Sequence, residues 1–431
     1  MKVRHPTGCR GASERGFTLI ELMVALMAGL FVAATAFTLA RNASKFFRHE
    51  AGVSSAQFAA MMGMSRLQAD LQRAGFLSSP NVQSDPLRCG DMADWPDGLA
   101  LLASVAIEDG GSVTRHSTDH ALSTLNGLSP DAIVLGGSFG TTEQFSVRAI
   151  VAGQNGGIDV FLQTDDGAMQ RTLAAQNGGA SLPQIFAAGR ILRIVDDEGR
   201  QAYGVISAFD ADASQPRISL TTAPAVPSKA STGVCGYTGM SIGTLVNPVV
   251  RVRYDLRAVP AATYPQYAGL DARARHDVQG QHQGEGTALR TELVRVEIDA
   301  DDNEVPTSLE VLSEYAVDLK FGLTRAVPPV PPLTAPTLNR FAIGNAQVYA
   351  VAAGVSGGGG TPQRIRSVQV RLSTRAASAD RDQAIPPPTG GGLFRFNLGV
   401  DPDHATHQLG YARVRSLVAD VSLPNQSGVT W

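Results

Sequence analysis

Cysteine, tryptophan and net charge are all scarce in this chain. Its 431 residues include three cysteines and two tryptophans, aromatic residues make up 6%, and 36 basic side chains stand against 39 acidic ones for a formal net charge of −3. So near a balance, the chain lacks the electrostatic footprint of a nucleic-acid binder. Its few aromatics are not interleaved with basic runs, so no base-stacking or sugar-stacking surface is indicated either. There is no internal repeat. What is abundant is apolar: 43% hydrophobic against 17% charged residues describes a folding chain, long enough to bury one large core or two smaller ones.

The most informative stretch is the first forty residues. Met1 to Arg15 carry Lys2, Arg4, Arg10 and Arg15 against one acid, Glu14, and are interrupted by Pro6, Gly8 and Gly11, which reads as a basic leader without stable helix. From Phe17 to Ala40 the residues are apolar or small, and Glu21 is the only charge. Two dozen such residues, at about 1.5 Å each, cross a hydrocarbon layer of about 30 Å as one helix. A secretory signal would place its small-residue cleavage site after the apolar run, whereas here Gly16-Phe17 stands at its beginning. The plain alternative is an unprocessed signal anchor. Glu21 argues against it, because a carboxylate in a membrane helix costs roughly 2.5 to 3.5 kcal/mol and by default marks function.

Gly16-Phe17-Thr18-Leu19-Ile20-Glu21 followed by an unbroken apolar segment resembles the processing site of type IV prepilins and type II secretion pseudopilins. The resemblance implies that a prepilin peptidase cuts after Gly16, that Phe17 becomes an N-methylated terminus, and that Glu21 is retained in the membrane as the acid used in assembly. The physics is compatible: a new α-amine near Glu21, supplied by a neighbouring subunit, would neutralise the carboxylate only on polymerisation. Ala25, Gly29 and Ala33 form a small-residue row at i, i+4 spacing, continued by Ala36 and Ala40; such rows allow close helix packing in lipid, although ordinary alanine richness gives the same row. Where many major pilins carry a helix-bending proline, this chain has Thr38. Cys9 precedes the expected cut. Cys89 and Cys235 remain as a candidate disulfide on the oxidising side of an inner membrane, the alternative being two partly buried thiols.

Val53, Ala56, Ala60, Met64, Leu67, Leu71 and Ala74 continue the helix as an amphipathic stripe, with Arg66, Asp70 and Arg73 off it, and Gly75 with Ser78-Ser79-Pro80-Asn81 predicts its end. After residue 77 the pattern becomes β, with strands expected at Ala132–Leu135, Gln144–Val151, Ile158–Gln163, Arg190–Val195, Gln201–Ala208, Val249–Leu256, Glu292–Ile298, Glu310–Val317, Arg364–Leu372 and Val414–Leu423. Asp165-Asp166-Gly167 and Asp196-Asp197-Glu198-Gly199 read as turns joining strands. The fold class expected is α+β: a long N-terminal helix, membrane-spanning in its first half, packed on a β-rich antiparallel head with large loop insertions. The organisation is leader 1–16, membrane segment 17–40, amphipathic stalk 41–76 and extracytoplasmic head 77–431. The proline run Val327 to Pro332, Gly357 to Gly360, Pro386 to Gly392, and the polar stretch Tyr264 to Gly286 are expected as loops. Met64-Ser65-Arg66-Leu67-Gln68-Ala69-Asp70-Leu71-Gln72-Arg73-Ala74-Gly75-Phe76, Ser129 to Leu135, Glu292 to Glu297, Val311 to Phe321 and Arg364 to Arg375 are similar to blocks of the PilW-type minor pilins, relatives of the J-type pseudopilins. That likeness implies a low-abundance subunit that primes filament assembly and stays at the tip.

Catalytic readings are weaker. Gly136-Gly137-Ser138-Phe139-Gly140 fits a nucleophile elbow, yet a strand rather than the required helix is expected after it. His116 and His120 lack the glutamate of a zinc protease motif, and His276, His282, His404 and His407 sit in polar loops. Asp299, Asp301 and Asn303 are oxygen donors on one turn but do not follow EF-hand spacing, so a solvated hairpin turn is the simpler reading and no metal or cofactor is expected. The resemblance therefore implies a non-enzymatic, single-pass inner-membrane subunit with a periplasmic head, moving to the cell surface in a pilus that serves motility or adhesion. Its implied partners are other minor pilins, the major pilin, the prepilin peptidase and the inner-membrane assembly platform. A type II pseudopilin shares every N-terminal feature, and an anchored hydrolase using Ser138 is the alternative of another class.

Overall fold

A single helix, α1, runs from Leu19 to Arg73. Its register keeps apolar residues on every side up to Ala40; from Val53 to Ala74 the buried ones follow one stripe, while Phe58, Met61 and Met62 lie exposed off it. Inside the apolar part the hydroxyl of Thr35 donates to the carbonyls of Phe31 and Val32, and that of Thr38 to Thr35, at 2.9–3.0 Å. These polar groups are thus satisfied without leaving the helix. The helix stops where Gly75 takes φ +75°, a conformation costly for residues with a Cβ, and its N–H bonds to Gly136 O at 2.8 Å. Asn425 Nδ2 covers two orphan carbonyls of the last turn, Gln72 O and Ala74 O, at 3.1 Å each.

The computed structural model describes residues 17–110, 121–153, 156–175, 181–211, 215–227, 235–237, 239–240, 243–270, 290–329, 335–353, 360–380, 395–400 and 408–431. The chain divides between Gly52 and Val53 into an N-terminal unit and the unit Val53–Trp431. The larger unit contains sixteen named strands: β1 (Val105–Glu108), β2 (Ala132–Gly137), β3 (Phe145–Ala152), β4 (Ile158–Leu162), β5 (Ile191–Val195), β6 (Gln201–Asp210), β7 (Arg217–Leu220), β8 (Gly239–Met240), β9 (Leu245–Arg257), β10 (Glu292–Ile298), β11 (Glu304–Ser313), β12 (Ala316–Val327), β13 (Thr337–Phe341), β14 (Ile365–Arg375), β15 (Arg395–Asn397) and β16 (Tyr411–Ser422). An eleven-stranded sheet has the order β1-β2-β9-β5-β6-β7-β4-β3-β8, with β10 between β9 and β11, and a five-stranded sheet the order β13-β12-β14-β16-β15. The named strands pair antiparallel throughout. The α+β expectation therefore holds.

The main core lies where Ala60, Met64, Leu67, Leu71 and Ala74 of α1 meet both sheets, among them Leu135, Val252, Tyr254, Leu293, Phe321, Val370 and Leu372. Helix and sheet approach closely there: a Cβ on Gly63 would lie 2.9 Å from Leu293 Cδ2 and 3.0 Å from Ser313 Cβ. A second core, around Phe145, Ile150, Val160, Phe186, Leu192 and Ile218, fills the β3–β7 region. Alternation along β9 explains its central position: Val250, Val252, Tyr254 and Leu256 join the main core, while Arg251, Arg253, Asp255 and Arg257 alternate with them and are buried in ion pairs.

Several sequence expectations need correction. Asp70, placed off the stripe, is buried, with its Oδ2 taking Tyr254 OH at 2.6 Å and Arg295 Nε at 2.8 Å. Glu310–Val317 is not one strand but the end of β11, a turn at Glu314-Tyr315 and the start of β12; Tyr315 makes the turn with φ +57°. Asp165-Asp166-Gly167 is not a hairpin, because Asp166 precedes the helix Gly167–Ala174 and accepts the N–H of Ser146 at 3.1 Å. The turn after Asp196 does join β5 to β6. The proline run connects β12 to β13, residues paired from Val327↔Thr337 onward. Residues 330–332, 357–359, 386–392 and 271–286 of the expected loops lie outside the described residues.

Candidate functional site

The apolar helix begins with a reciprocal cap. Thr18 N–H and Thr18 Oγ1 both donate to Glu21 Oε2, at 3.1 and 3.0 Å, while Glu21 N–H donates to Thr18 Oγ1 at 3.2 Å. This is the capping-box arrangement that Thr-x-x-Glu encodes, and it satisfies donors that the first turn would otherwise leave open. The carboxylate also sits at the positive end of the helix macrodipole. Its second oxygen, Oε1, has no partner among the described residues. No lysine, arginine or histidine occurs between Phe17 and Ala40, so the span itself supplies no counter-charge.

Around that acid the surface is apolar and uncovered. Phe17 is 85% exposed, and Leu19, Leu30, Phe31 and Leu39 are each more than 70% exposed. Ala25, Gly29 and Ala33 are exposed on one helical face, and nothing lies within 4 Å of a Cβ built on Gly29. The helix is long and apolar enough to cross a membrane. In that setting one end of the span carries an acid held by its own turn, with open lone pairs and an adjacent chain position at Phe17.

Residues 11–37 match the family model described as the prokaryotic N-terminal methylation motif. The chain is thus type IV pilin-like or pseudopilin-like at its N-terminus, with the processing by prepilin peptidase and the membrane anchoring that this motif implies. The match covers the apolar segment as far as residue 37 and the residues just before it, and none of the head. No curated protein and no solved structure matches the chain. Gly16, the expected cleavage residue, lies outside the described residues, as do Cys9, His116, His120, His276, His282, His404 and His407.

The remaining candidates are structural in their surroundings. Ser138 is fully buried, its hydroxyl donates to Thr141 O at 2.7 Å, and the next element is strand β3 rather than a helix. Its proton is spent on the turn. Asp299 Oδ1 accepts the N–H groups of Asp301 and Asn303 at 3.0 and 2.8 Å, and Asp302 pairs with Arg251 at 2.6 Å, which is the bonding of the β10–β11 hairpin turn. Cys89 and Cys235 form a disulfide with Cα atoms 5.7 Å apart.

What the sequence reading did not foresee is the density of buried charge. Asp131 bonds Lys320 Nζ at 2.6 Å and Tyr349 OH at 2.9 Å, tying β2 to β12 and to the helix Ala346–Val351. Burial pushes the Asp131 carboxyl up although Lys320 opposes it, whereas at Asp255 burial pushes the same way but is outweighed by Arg257 and Arg253 on either side, which hold the carboxyl low. Strand alternation alone gives no signal for such ladders, since an Arg-x-Arg-x-Asp-x-Arg pattern reads equally well as a solvated face.

Proposed function

We propose that this protein is a minor pilin of the type IV pilus, of the PilW type, a non-enzymatic subunit that helps to initiate assembly within a priming or tip complex. In this reading the peptidase cuts after Gly16, Phe17 becomes the methylated terminus, and the mature chain is held in the inner membrane with its head in the periplasm until it enters the pilus. Its partners are the major pilin, other minor pilins and the assembly platform. The observation that carries the reading is Glu21, the lone charge of an uncovered apolar helix, with Oε1 unmet one turn from Phe17.

The cap makes the chemistry economical. Cutting after Gly16 leaves the Thr18 N–H intact, so the first turn stays ordered while a new cation appears at Phe17. The amine of a neighbouring subunit can then approach Oε1 without disturbing the bonds to Oε2, and charge neutralisation in lipid favours that register over others. Ala25, Gly29 and Ala33 give the neighbouring helix a face on which to come close.

The test is Glu21→Ala. The variant should insert into membranes as well as the wild type or better, because roughly 2.5 to 3.5 kcal/mol of insertion cost is removed, yet be depleted from sheared filaments. Normal incorporation contradicts the role assigned to the acid. A J-type pseudopilin of type II secretion rests on the same motif; loss of protein secretion with intact pili on deletion of the chain would favour that reading.

A further inference from the structure

Nearly all the positive charge buried in the head is arginine. The chain has four lysines, Lys2, Lys45, Lys229 and Lys320, among its 36 basic residues. Among the described residues the buried acids Asp70, Asp255, Glu292, Asp302, Asp318 and Asp380 are all paired with arginines, and Lys320 is the one lysine in an ion pair. The exchange matters chemically. A guanidinium stays protonated, whereas a lysine ε-amine taken out of water can lose its proton and become a nucleophile.

Three oxygens converge on Lys320 Nζ: Asp131 Oδ1 at 2.6 Å, Ser129 Oγ at 3.4 Å and the Tyr349 hydroxyl at 3.5 Å. The Asp131 side chain is fully buried and that of Lys320 is 14% exposed. Tyr349 OH donates to Asp131 Oδ2 at 2.9 Å, and the Gly110 N–H to Oδ1 at 3.2 Å. The two carboxylate oxygens are thus differentiated, with Oδ1 against the amine and Oδ2 against the phenol. Burial disfavours both charges of the pair and favours its neutral form, in keeping with the raised Asp131 carboxyl.

We propose that Lys320 and Asp131 join in an intramolecular amide bond, made by the chain itself once it has folded. The ammonium passes one proton to Oδ1 across their hydrogen bond, and the freed lone pair attacks Cγ, so that the N–C bond forms while the Tyr349 hydroxyl stabilises the charge developing on Oδ2. A second proton moves from the nitrogen to Oδ1, the C–Oδ1 bond breaks, and one water leaves. Nothing is oxidised or reduced. The fixed contact replaces a bimolecular condensation by an intramolecular one, and exclusion of water from Asp131 opposes the reverse hydrolysis. The bond spans 189 residues of sequence and joins the start of β2, in the eleven-stranded sheet, to β12, in the five-stranded sheet. Both sheets then stay together on α1 under heat or tension. None of this depends on processing of the N-terminus, so it stands or falls separately from the filament reading.

The test is a tryptic map of the full-length folded chain isolated from membranes. The bond blocks cleavage after Lys320, so a branched peptide of residues 116–148 and 296–325, lighter by one water than the two together, should replace the linear peptides 116–148, 296–320 and 321–325. Its fragment ions should place the branch at Lys320 and Asp131. Lys320→Arg, which keeps the charge pair but offers no nucleophile, should give linear peptides only. Tyr349→Phe should slow the appearance of the branched peptide after a translation pulse about a hundredfold. The proposal is overturned if the folded wild type yields the linear peptides alone, and its mechanism is overturned if Tyr349→Phe closes the bond as fast as the wild type.

Discussion

Glu292 illustrates how single residues set the chemistry of the head. It is almost fully buried beside Arg290 and accepts the N–H of Tyr315 at 2.9 Å, while Arg290 lies over the Tyr315 ring at 4.1 Å. Burial pushes its carboxyl up from 4.5 to about 7 in spite of Arg290. A raised acid binds its proton more tightly in the folded state, so its contribution is complete below pH 4.5 and is lost as the pH rises through about 7. The head should therefore lose about 3 kcal/mol of stability over that window from this group, and Glu292→Gln should flatten the loss in urea titrations of the full chain. An unchanged slope would show that Arg290 keeps the pair ionised throughout. The residue scale is also where sequence reading was most uneven. Thr18-x-x-Glu21 spells a capping box that went unread beside the membrane signal, whereas the burial of Asp70 left no trace, because its partners Tyr254 and Arg295 are on distant strands.

At the scale of elements, periodicity was a good guide wherever one face is buried. The stripe from Val53 to Ala74 is the face that packs on both sheets, each of its seven residues being buried. Leu67 is fully buried at the centre of that contact. Leu67→Ala should accordingly cost about 2–5 kcal/mol, the range for opening a cavity in a packed core, read as a shift of the urea midpoint with unchanged slope; a loss below about 0.5 kcal/mol, the scale of a neutral surface change, would mean the helix does not dock there. Strand detection failed where the chemistry was atypical. Tyr315 turns the chain without glycine, asparagine or proline, so β11 and β12 merged in the reading. The short strands Val105–Glu108, Arg217–Leu220 and Thr337–Phe341 were not among those expected; the last is exposed along its first four residues and carries no apolar alternation.

For the whole molecule, the cross-link between Cys89 and Cys235 closes 146 residues of sequence and restricts the unfolded chain more than the folded one. Replacing both cysteines by serine should lower stability by about 2–5 kcal/mol, measured against the untreated chain, and reductant should then have no further effect. The N-terminal unit obeys a different economy: the large apolar side chains of its span are exposed, and Glu21, the one acid between Phe17 and Ala40, is held by its own first turn. The apolar span itself was legible in the first forty residues, because it depends on composition rather than on long-range contacts. The account turns on what happens at Phe17, and mass spectrometry of the protein isolated from the envelope of a peptidase-positive host decides it. The expected terminal peptide begins with N-methylated Phe17, and a Gly16 substitution leaves the leader attached. An N-terminus upstream of Phe17 in the wild-type protein, with no methylated phenylalanine in any fraction, would contradict it.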